Sequence, residues 1–275
     1  MKKLMAAVLA AGMGFCVFGM DIFSYVPAGG GAKNYTQTDY TITSKFGNYF
    51  RTPSEKSVHI LNSSGEETLV STYTARDVLT GKIVKNYNAS GKLYEQISYD
   101  AADEVLWRTA VTFNNGVKSD VSEFGKDGSL KAKTIFTYTD GKLVDETGYD
   151  GDGALVWKIV YKYNPDGTVA SQSQYSADGA LDEERTYTYM DDGRIDSVTY
   201  LDGYMNSSVQ EVFRYTDGKL TEITTYGSGN KISGRLLVKY DAAGNVTKLS
   251  DYSVAEKFGT TVNELASMTD FVFEY

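Results

Sequence analysis

Apolar and polar side chains alternate along several stretches of this chain. In residues 154–163, Leu155, Trp157, Ile159, Tyr161 and Tyr163 would share one face of an extended segment, and Val156, Lys158, Val160 and Lys162 the other. Residues 130–138 repeat this pattern. A period of two residues predicts a β-strand, because successive side chains of a strand point to opposite faces. The abundance of Tyr, Thr, Val and Ile at these positions also favours strands over helices.

The second feature is a repeat: an aromatic residue, a short turn ending in glycine, an aliphatic residue two positions later, and another aromatic. Seven double units begin at Tyr73, Tyr99, Phe124, Tyr149, Tyr175, Tyr200 and Tyr226, 25 or 26 residues apart, and the series closes at Tyr252. Each half unit has the length of one strand and its turn. Asp-Gly and Asn-Gly pairs in the turns supply the positive φ angles that tight hairpins need. Self-similarity at a fixed period indicates stacked supersecondary units.

We therefore expect an all-β protein built as a long antiparallel β-meander of about 17 strands. Such a large sheet should be curled or spiralled, or remain a single layer, because neighbouring strands twist against each other. The face with the leucine, tryptophan and tyrosine side chains should line the concave side. Asp145 and Glu183 are expected on that face, and buried charges of this kind argue against a dry sandwich core.

The predicted organisation has five segments. Residues 1–19 have the features of a signal peptide, with Lys2 and Lys3 before an apolar run that is too short to cross a bilayer. Lipid attachment at Cys16 is the less favoured alternative, because the bulky Phe15 stands where lipoprotein signals carry a small residue. Residues 20–35 are expected to be a flexible linker, 36–72 capping strands, 73–252 the repeat array, and 253–275 a capping loop and strand. The mature protein should be periplasmic, outer-membrane-associated or secreted, with no membrane span.

Composition narrows the chemistry. Cys16 is the only cysteine, so a mature chain cleaved after Gly19 would have neither a disulfide nor a thiolate site. The net charge of −9 disfavours a nucleic-acid partner. His59 is the only histidine and is interpreted as an ordinary strand residue. The Asp-Gly turns lack the ligand spacing of an EF-hand, and hairpin chemistry explains them. We expect no metal and no cofactor.

Aromatic residues are the strongest functional signal, with 22 Tyr, 12 Phe and 2 Trp. They would serve as contacts for a sugar or a peptide segment, because large rigid rings offer contact area at low entropic cost. The alternative is that they pack across strands and hold the sheet together. The candidate ligand-binding residues on the concave face are Trp107, Trp157, Tyr161 and Tyr187.

Three phrases carry a resemblance to a known family: Tyr240-Asp-Ala-Ala-Gly244-Asn-Val246, Tyr149-Asp-Gly-Asp-Gly153-Ala-Leu155 and Tyr87-Asn-Ala-Ser-Gly91-Lys-Leu93. They resemble the YD repeat of bacterial RHS proteins, Tyr-Asp-x-x-Gly-x-Leu, whose antiparallel sheet spirals and sometimes forms a shell. The chain departs from that pattern where Asp103 replaces the turn glycine, and it has no RHS core motif or toxin domain behind the array. The spacing is also similar to variant MORN-type repeats and to short secreted YD-repeat proteins of Gram-negative anaerobes and spirochaetes.

The resemblance implies architecture more than activity, and members of the family are mostly adhesive, carbohydrate-binding or uncharacterised. Our interpretation is a non-catalytic exported repeat scaffold that binds a protein or glycan partner at the bacterial cell envelope. One alternative is a carboxylate-dependent glycan hydrolase, because the many acidic residues offer possible pairs. The other is a structural envelope protein without a soluble ligand.

Overall fold

The computed structural model describes residues 31–45, 48–257 and 259–275. The expected signal peptide and most of the expected linker lie outside these residues. The strands are β1 Asn34–Lys45, β2 Asn48–Leu61, β3 Glu67–Thr74, β4 Leu79–Tyr87, β5 Leu93–Asp100, β6 Val105–Asn114, β7 Val117–Gly125, β8 Leu130–Thr139, β9 Lys142–Asp150, β10 Leu155–Tyr163, β11 Val169–Ser176, β12 Leu181–Tyr189, β13 Ile195–Asp202, β14 Ser207–Thr216, β15 Lys219–Gly227, β16 Lys231–Tyr240, β17 Val246–Lys257 and β18 Thr260–Glu274. A 3-10 turn, Ser228–Asn230, follows β15.

The 18 strands form one closed antiparallel barrel. Each strand pairs with the next one along the chain, and β1 also pairs with β18, from Asn34 opposite Glu274 to Thr41 opposite Ser267. The prediction of an all-β antiparallel meander is confirmed. The expectation of a curled or spiralled open sheet is wrong, because β1 lies between β18 and β2 and joins the two ends. Closure gives both end strands a hydrogen-bonding neighbour and removes the exposed edges that an open sheet would have.

Burial along the strands distinguishes the inner face of the barrel from its outer face. In β8, Thr134 and Phe136 are buried, whereas Ile135 and Thr137 are exposed. The alternate residues that include Thr134 and Phe136 therefore line the interior. Corresponding patterns place Phe213 of β14 inside, next to the exposed Arg214.

Bulges decide which face each side chain reaches. Between β9 and β10 the register shifts after Leu155, so that Leu155 lies opposite Tyr149 while Trp157 lies opposite Gly148. Asp145 is opposite Val160, which is on the outer face, and forms an outer ion pair of 3.5 Å with Lys158. The expectation that Asp145 shares the face of the tryptophan and tyrosine side chains is therefore wrong, because a bulge reverses the alternation.

The interior has two sectors. The packed sector comprises β13 to β18 with β1 and β2, and its buried apolar cluster contains Ala32, Tyr35, Leu61, Val198, Phe213, Leu220, Ile223, Val238, Val246 and Phe271. Complete burial of such aliphatic side chains stabilises the fold by about 1.5–3 kcal/mol each. The open sector comprises β3 to β12, where most inner side chains are only half-buried. Solvent reaches the inner wall mainly in the open sector.

Tyrosines at one end of the barrel hydrogen-bond to the backbone of the preceding strand. The phenol groups of Tyr87, Tyr163, Tyr189, Tyr215 and Tyr240 donate to the carbonyl oxygens of Glu67, Leu143, Val169, Ile195 and Leu220 at 2.7–3.0 Å. We call this end the tyrosine rim. Leu143 lies beyond the described β9–β10 register, which reaches only Asp145 opposite Val160. The phenol of Tyr163 thus extends the contact between these strands past the end of their ladder.

The residue after the aromatic caps the turn. The Oδ1 atom of Asp150 accepts hydrogen bonds from the backbone N–H groups of Asp152 and Ala154 at 3.0 and 2.9 Å. Asp100 and Asn88 make the same pair of bonds in their own turns. These side chains satisfy turn N–H groups and favour the local hairpin geometry. The repeated Tyr-Asp and Tyr-Asn pairs therefore have a structural explanation.

Tyr163→Phe should lower the free energy of unfolding by about 1 kcal/mol, because the carbonyl of Leu143 loses its phenol donor while the ring remains in place. The measurement is the midpoint of urea unfolding. Tyr94→Phe is the matched control, since Tyr94 is exposed and should show almost no change. Equal midpoints for wild type and Tyr163→Phe would contradict the stabilising role of this hydrogen bond.

Candidate functional site

All four candidate residues lie on the inner face of the open sector. Trp107 is on β6, opposite Ser98 and Gly125. Trp157 is on β10, opposite Gly148 and Ser176. Both lie close to the end where β5–β6 and β9–β10 are joined, which we call the tryptophan rim.

Small neighbours give each tryptophan its space on the wall. A methyl group at Gly148 would overlap the indole ring of Trp157, so glycine is needed for the ring to lie flat there. Trp107 likewise has small register partners, Ser98 on one side and Gly125 on the other. Both indoles remain half-buried. They are thus the largest aromatic surfaces that this part of the inner wall offers to a ligand.

Tyr161 contributes to the packing of the barrel wall. Its side chain is buried, and its hydroxyl donates to Oε1 of Glu146 at 2.5 Å. Burial and the charge of Glu146 raise the pKa of the Tyr161 phenol well above its usual range. The Nζ atom of Lys118 lies 3.9 Å from the centre of the Phe136 ring, and burial lowers the pKa of that ammonium, against the opposing effect of Glu146. Tyr161 therefore belongs to a buried polar network.

Tyr187 belongs to a second group, the inner charged cluster, made by Glu183, Arg185, Tyr187, Tyr200 and Glu211. The Nε atom of Arg185 donates to Oε1 of Glu183 at 2.5 Å, and Tyr200 donates to Oε2 of Glu211 at 3.0 Å. Burial raises the pKa of Glu211, although the bond from Tyr200 and the charge of Arg185 act in the opposite direction. Glu183 thus occupies the inner face, as expected from the sequence.

Two further acids on the inner wall have raised pKa values. Glu123 of β7 is two positions from the buried Val121, and burial raises the pKa of its carboxyl group. The pKa of Asp251 on β17 is also raised by partial desolvation, although this residue is exposed, and a backbone hydrogen bond from Tyr252 opposes the shift. Glu123, Glu146, Glu211 and Asp251 were not predicted from the sequence as inner-face acids. Strand alternation alone could not predict that these acids face inward, because the bulges determine which side chains reach the inner face.

His59 takes part in a half-buried network near the junction of β1 and β18. The carboxylate of Glu67 accepts hydrogen bonds from Tyr35 and Lys85 at 2.5 Å and lies 2.8 Å from Nδ1 of His59. Tyr35 also stacks on His59, with ring centres 4.2 Å apart. Burial would raise the pKa of Glu67, but the bonds from His59, Lys85 and Tyr35 outweigh it and hold the pKa far below its usual range. This carboxylate ties together β1, β2, β3 and β4.

Metal chemistry has no visible basis in the described part of the chain, where no group of three or more His, Cys, Asp or Glu side chains is placed to hold an ion. Within residues 31–45, 48–257 and 259–275 there is also no helix long and apolar enough to cross a membrane.

Comparisons with known proteins identify no family. No family model matches the chain, and no curated protein matches it. A porin-like protein from Bacteroides uniformis is similar in structure at 11% identity, with 88% of this chain and 98% of that chain covered and a TM-score of 0.49. A porin-like protein from Bacteroides vulgatus has 11% identity, coverages of 77% and 98%, and a TM-score of 0.27. The TcdB2-TccC3 protein has 11% identity, coverages of 82% and 17%, and a TM-score of 0.31. Similarities this distant carry no argument about function.

The Glu67 network generates a pH prediction. A carboxyl group whose pKa is depressed on folding stabilises the native state above its unfolded pKa of about 4.3, and this contribution is lost as the pH falls further toward the folded pKa. Glu67→Gln should therefore cost about 3 kcal/mol at pH 7, since Lys85 and His59 lose a largely desolvated carboxylate, and the difference from wild type should shrink below pH ~4. Urea unfolding between pH 3 and 8 tests this, with the exposed Glu104→Gln as control. A difference that is independent of pH would contradict it.

Proposed function

We propose that this chain is a non-catalytic, exported binding barrel that takes an extended glycan or protein segment along the inner wall at the tryptophan rim. The main support for this proposal is that Trp107 and Trp157 lie half-buried on the inner face of the open sector. Flat indole faces stack against apolar sugar faces and against peptide side chains.

The spacing of the two tryptophans supports an extended ligand. They lie on β6 and β10, four strand intervals apart, or about 19 Å along the wall at the usual strand spacing. A single small molecule does not reach across that distance, whereas an oligosaccharide or an extended peptide does. Between them the inner face offers the half-buried carboxyl group of Glu123, whereas Thr109 and Thr134 are buried in the wall. Few well-placed polar groups among aromatic ones are typical of ligand sites.

The charged side chains on the outer face support the proposal that the barrel is surrounded by water. Glu95 pairs with Arg108 at 3.3 Å, and Asp120 pairs with Lys133 at 3.5 Å, on the face opposite to the buried residues. A charged side chain facing lipid costs about 2–4 kcal/mol at the bilayer midplane. We therefore keep the proposal of an exported protein of the cell envelope, in the periplasm, on the outer membrane or secreted, without a membrane span.

A carboxylate-dependent glycan hydrolase is the second candidate, and the raised pKa of Glu211 favours it, because a general acid needs a carboxyl group that is protonated near neutral pH. The other acidic side chain of the inner charged cluster is Glu183, which is already paired with Arg185. This engagement makes binding without turnover the better-supported proposal. A structural envelope role without a ligand is the remaining alternative.

Trp107→Ala and Trp157→Ala should each weaken binding roughly tenfold, because truncating a central aromatic contact removes much of the binding energy. A glycan array and a panel of extended peptides identify the ligand, and titration calorimetry measures the affinity. Leu106→Ala is the matched control, since Leu106 is the neighbour of Trp107 and 46% exposed. Thermal melting checks that each variant is folded.

The outcomes separate the candidate functions. Binding that depends on both tryptophans, with no product formed, supports the binding barrel. Turnover of a bound glycan that disappears in Glu211→Gln would replace it with the hydrolase. No binding to any glycan or peptide would contradict both and leave the structural role.

A further inference from the structure

The β1–β2 hairpin and the neighbouring β17–β18 hairpin extend beyond the other strands at the tryptophan rim. β1 and β2 pair as far as Lys45 opposite Asn48, whereas β2 pairs with β3 only from Glu55 opposite Thr74 onward. In the described registers, residues 48–54 of β2 therefore have β1 on one side and no strand on the other. All seven are exposed to solvent. We call residues 48–54 the free edge of β2.

This free edge is suited to pairing with another strand. Unpaired N–H and C=O groups along a strand form a template for another chain. Pro53 has no N–H group and limits the usable ladder to residues 48–52. Tyr49 and Phe50 in the middle are 46% and 52% exposed. Residues 254–257 of β17 and 260–266 of β18 also lack a second neighbouring strand in the described registers, but the free edge of β2 is the stretch that carries exposed aromatic residues.

We propose that the free edge of β2 pairs antiparallel with the same edge of a second copy of this chain and forms a twofold dimer. Centring the ladder on Phe50 brings the two Phe50 side chains together and sets Tyr49 of each copy opposite Arg51 of the other. Aromatic pairs and pairs of a cation with an aromatic ring both stabilise neighbouring strands. A twofold contact of this kind uses the same patch on both copies and closes on itself.

Charge favours a second copy at this place. The chain carries a net charge of −9, so that most contacts between two copies are opposed by repulsion. The free edge has one charged residue, the cation Arg51, whose side chain lies 2.7 Å from Asp270 of its own barrel and is still 50% exposed. Two copies therefore approach through this edge with little repulsion. Because five residues per copy form a small interface, the dimer should be weak and dependent on concentration.

The test is sedimentation equilibrium of the full chain over a wide concentration range. Wild type should show a monomer–dimer equilibrium, and Phe50→Lys should weaken dimerisation roughly tenfold or more, because like charges then face each other directly. Tyr49→Lys should weaken it similarly through repulsion from Arg51, whereas Tyr49→Glu should retain it. Both Tyr49 variants lose the same contact with the carbonyl of Asn263, so they control for each other.

Val272→Lys is the control for an added surface charge, since Val272 is 64% exposed on β18 and lies away from the free edge. It should dimerise like wild type. Thermal melting establishes that every variant is folded. A wild type that is monomeric at all concentrations overturns the proposal and leaves the edge to an extended segment of another protein. Equal dimerisation of Tyr49→Lys and Tyr49→Glu overturns the register centred on Phe50.

Discussion

Pairing between β1 and β18 is the interaction on which the other features of this molecule depend. A meander of repeats has two ends, and each end strand would otherwise expose a row of unpaired backbone groups. β1 accepts β18 on one side and β2 on the other, and the Glu67 network anchors the same place through Tyr35, His59 and Lys85. Once the sheet is closed, one face of every strand becomes interior. The inner side chains then divide into a packed sector and an open sector.

The repeated residues satisfy backbone hydrogen-bonding groups at the ends of the strands. Phenols of the tyrosine rim bond to carbonyl groups beyond the ladder, while Asp150 and Asn88 satisfy the N–H groups of their turns. These roles account for the aromatic-plus-polar phrase without any ligand. The two tryptophans are different, because the wall supplies small neighbours such as Gly148 beside them and leaves their rings half-buried. This difference is why the proposed binding surface lies at the tryptophan rim.

Inner acids and bases divide the wall into regions with distinct chemistry. Tyr161 is bonded to Glu146 and buried, so it supports the wall and offers little surface. Tyr187 lies in the inner charged cluster with Arg185, and burial raises the pKa of the Tyr187 phenol. Of the four candidates, Trp107 and Trp157 are therefore the ones that the geometry leaves best placed for contact with a ligand.

The sequence by itself determined the strands, the turns and their antiparallel order, because alternation and turn chemistry are local properties. It also placed Trp107, Trp157, Tyr161 and Tyr187 on a common face. Closure was decided only by the tertiary structure, since pairing of Asn34 with Glu274 joins residues from opposite ends of the chain. The tertiary structure also decided which face Asp145 and Glu123 reach. A bulge in the paired register turns Asp145 outward, and the register of β7 turns Glu123 inward. No local sequence pattern shows which strand positions carry a bulge.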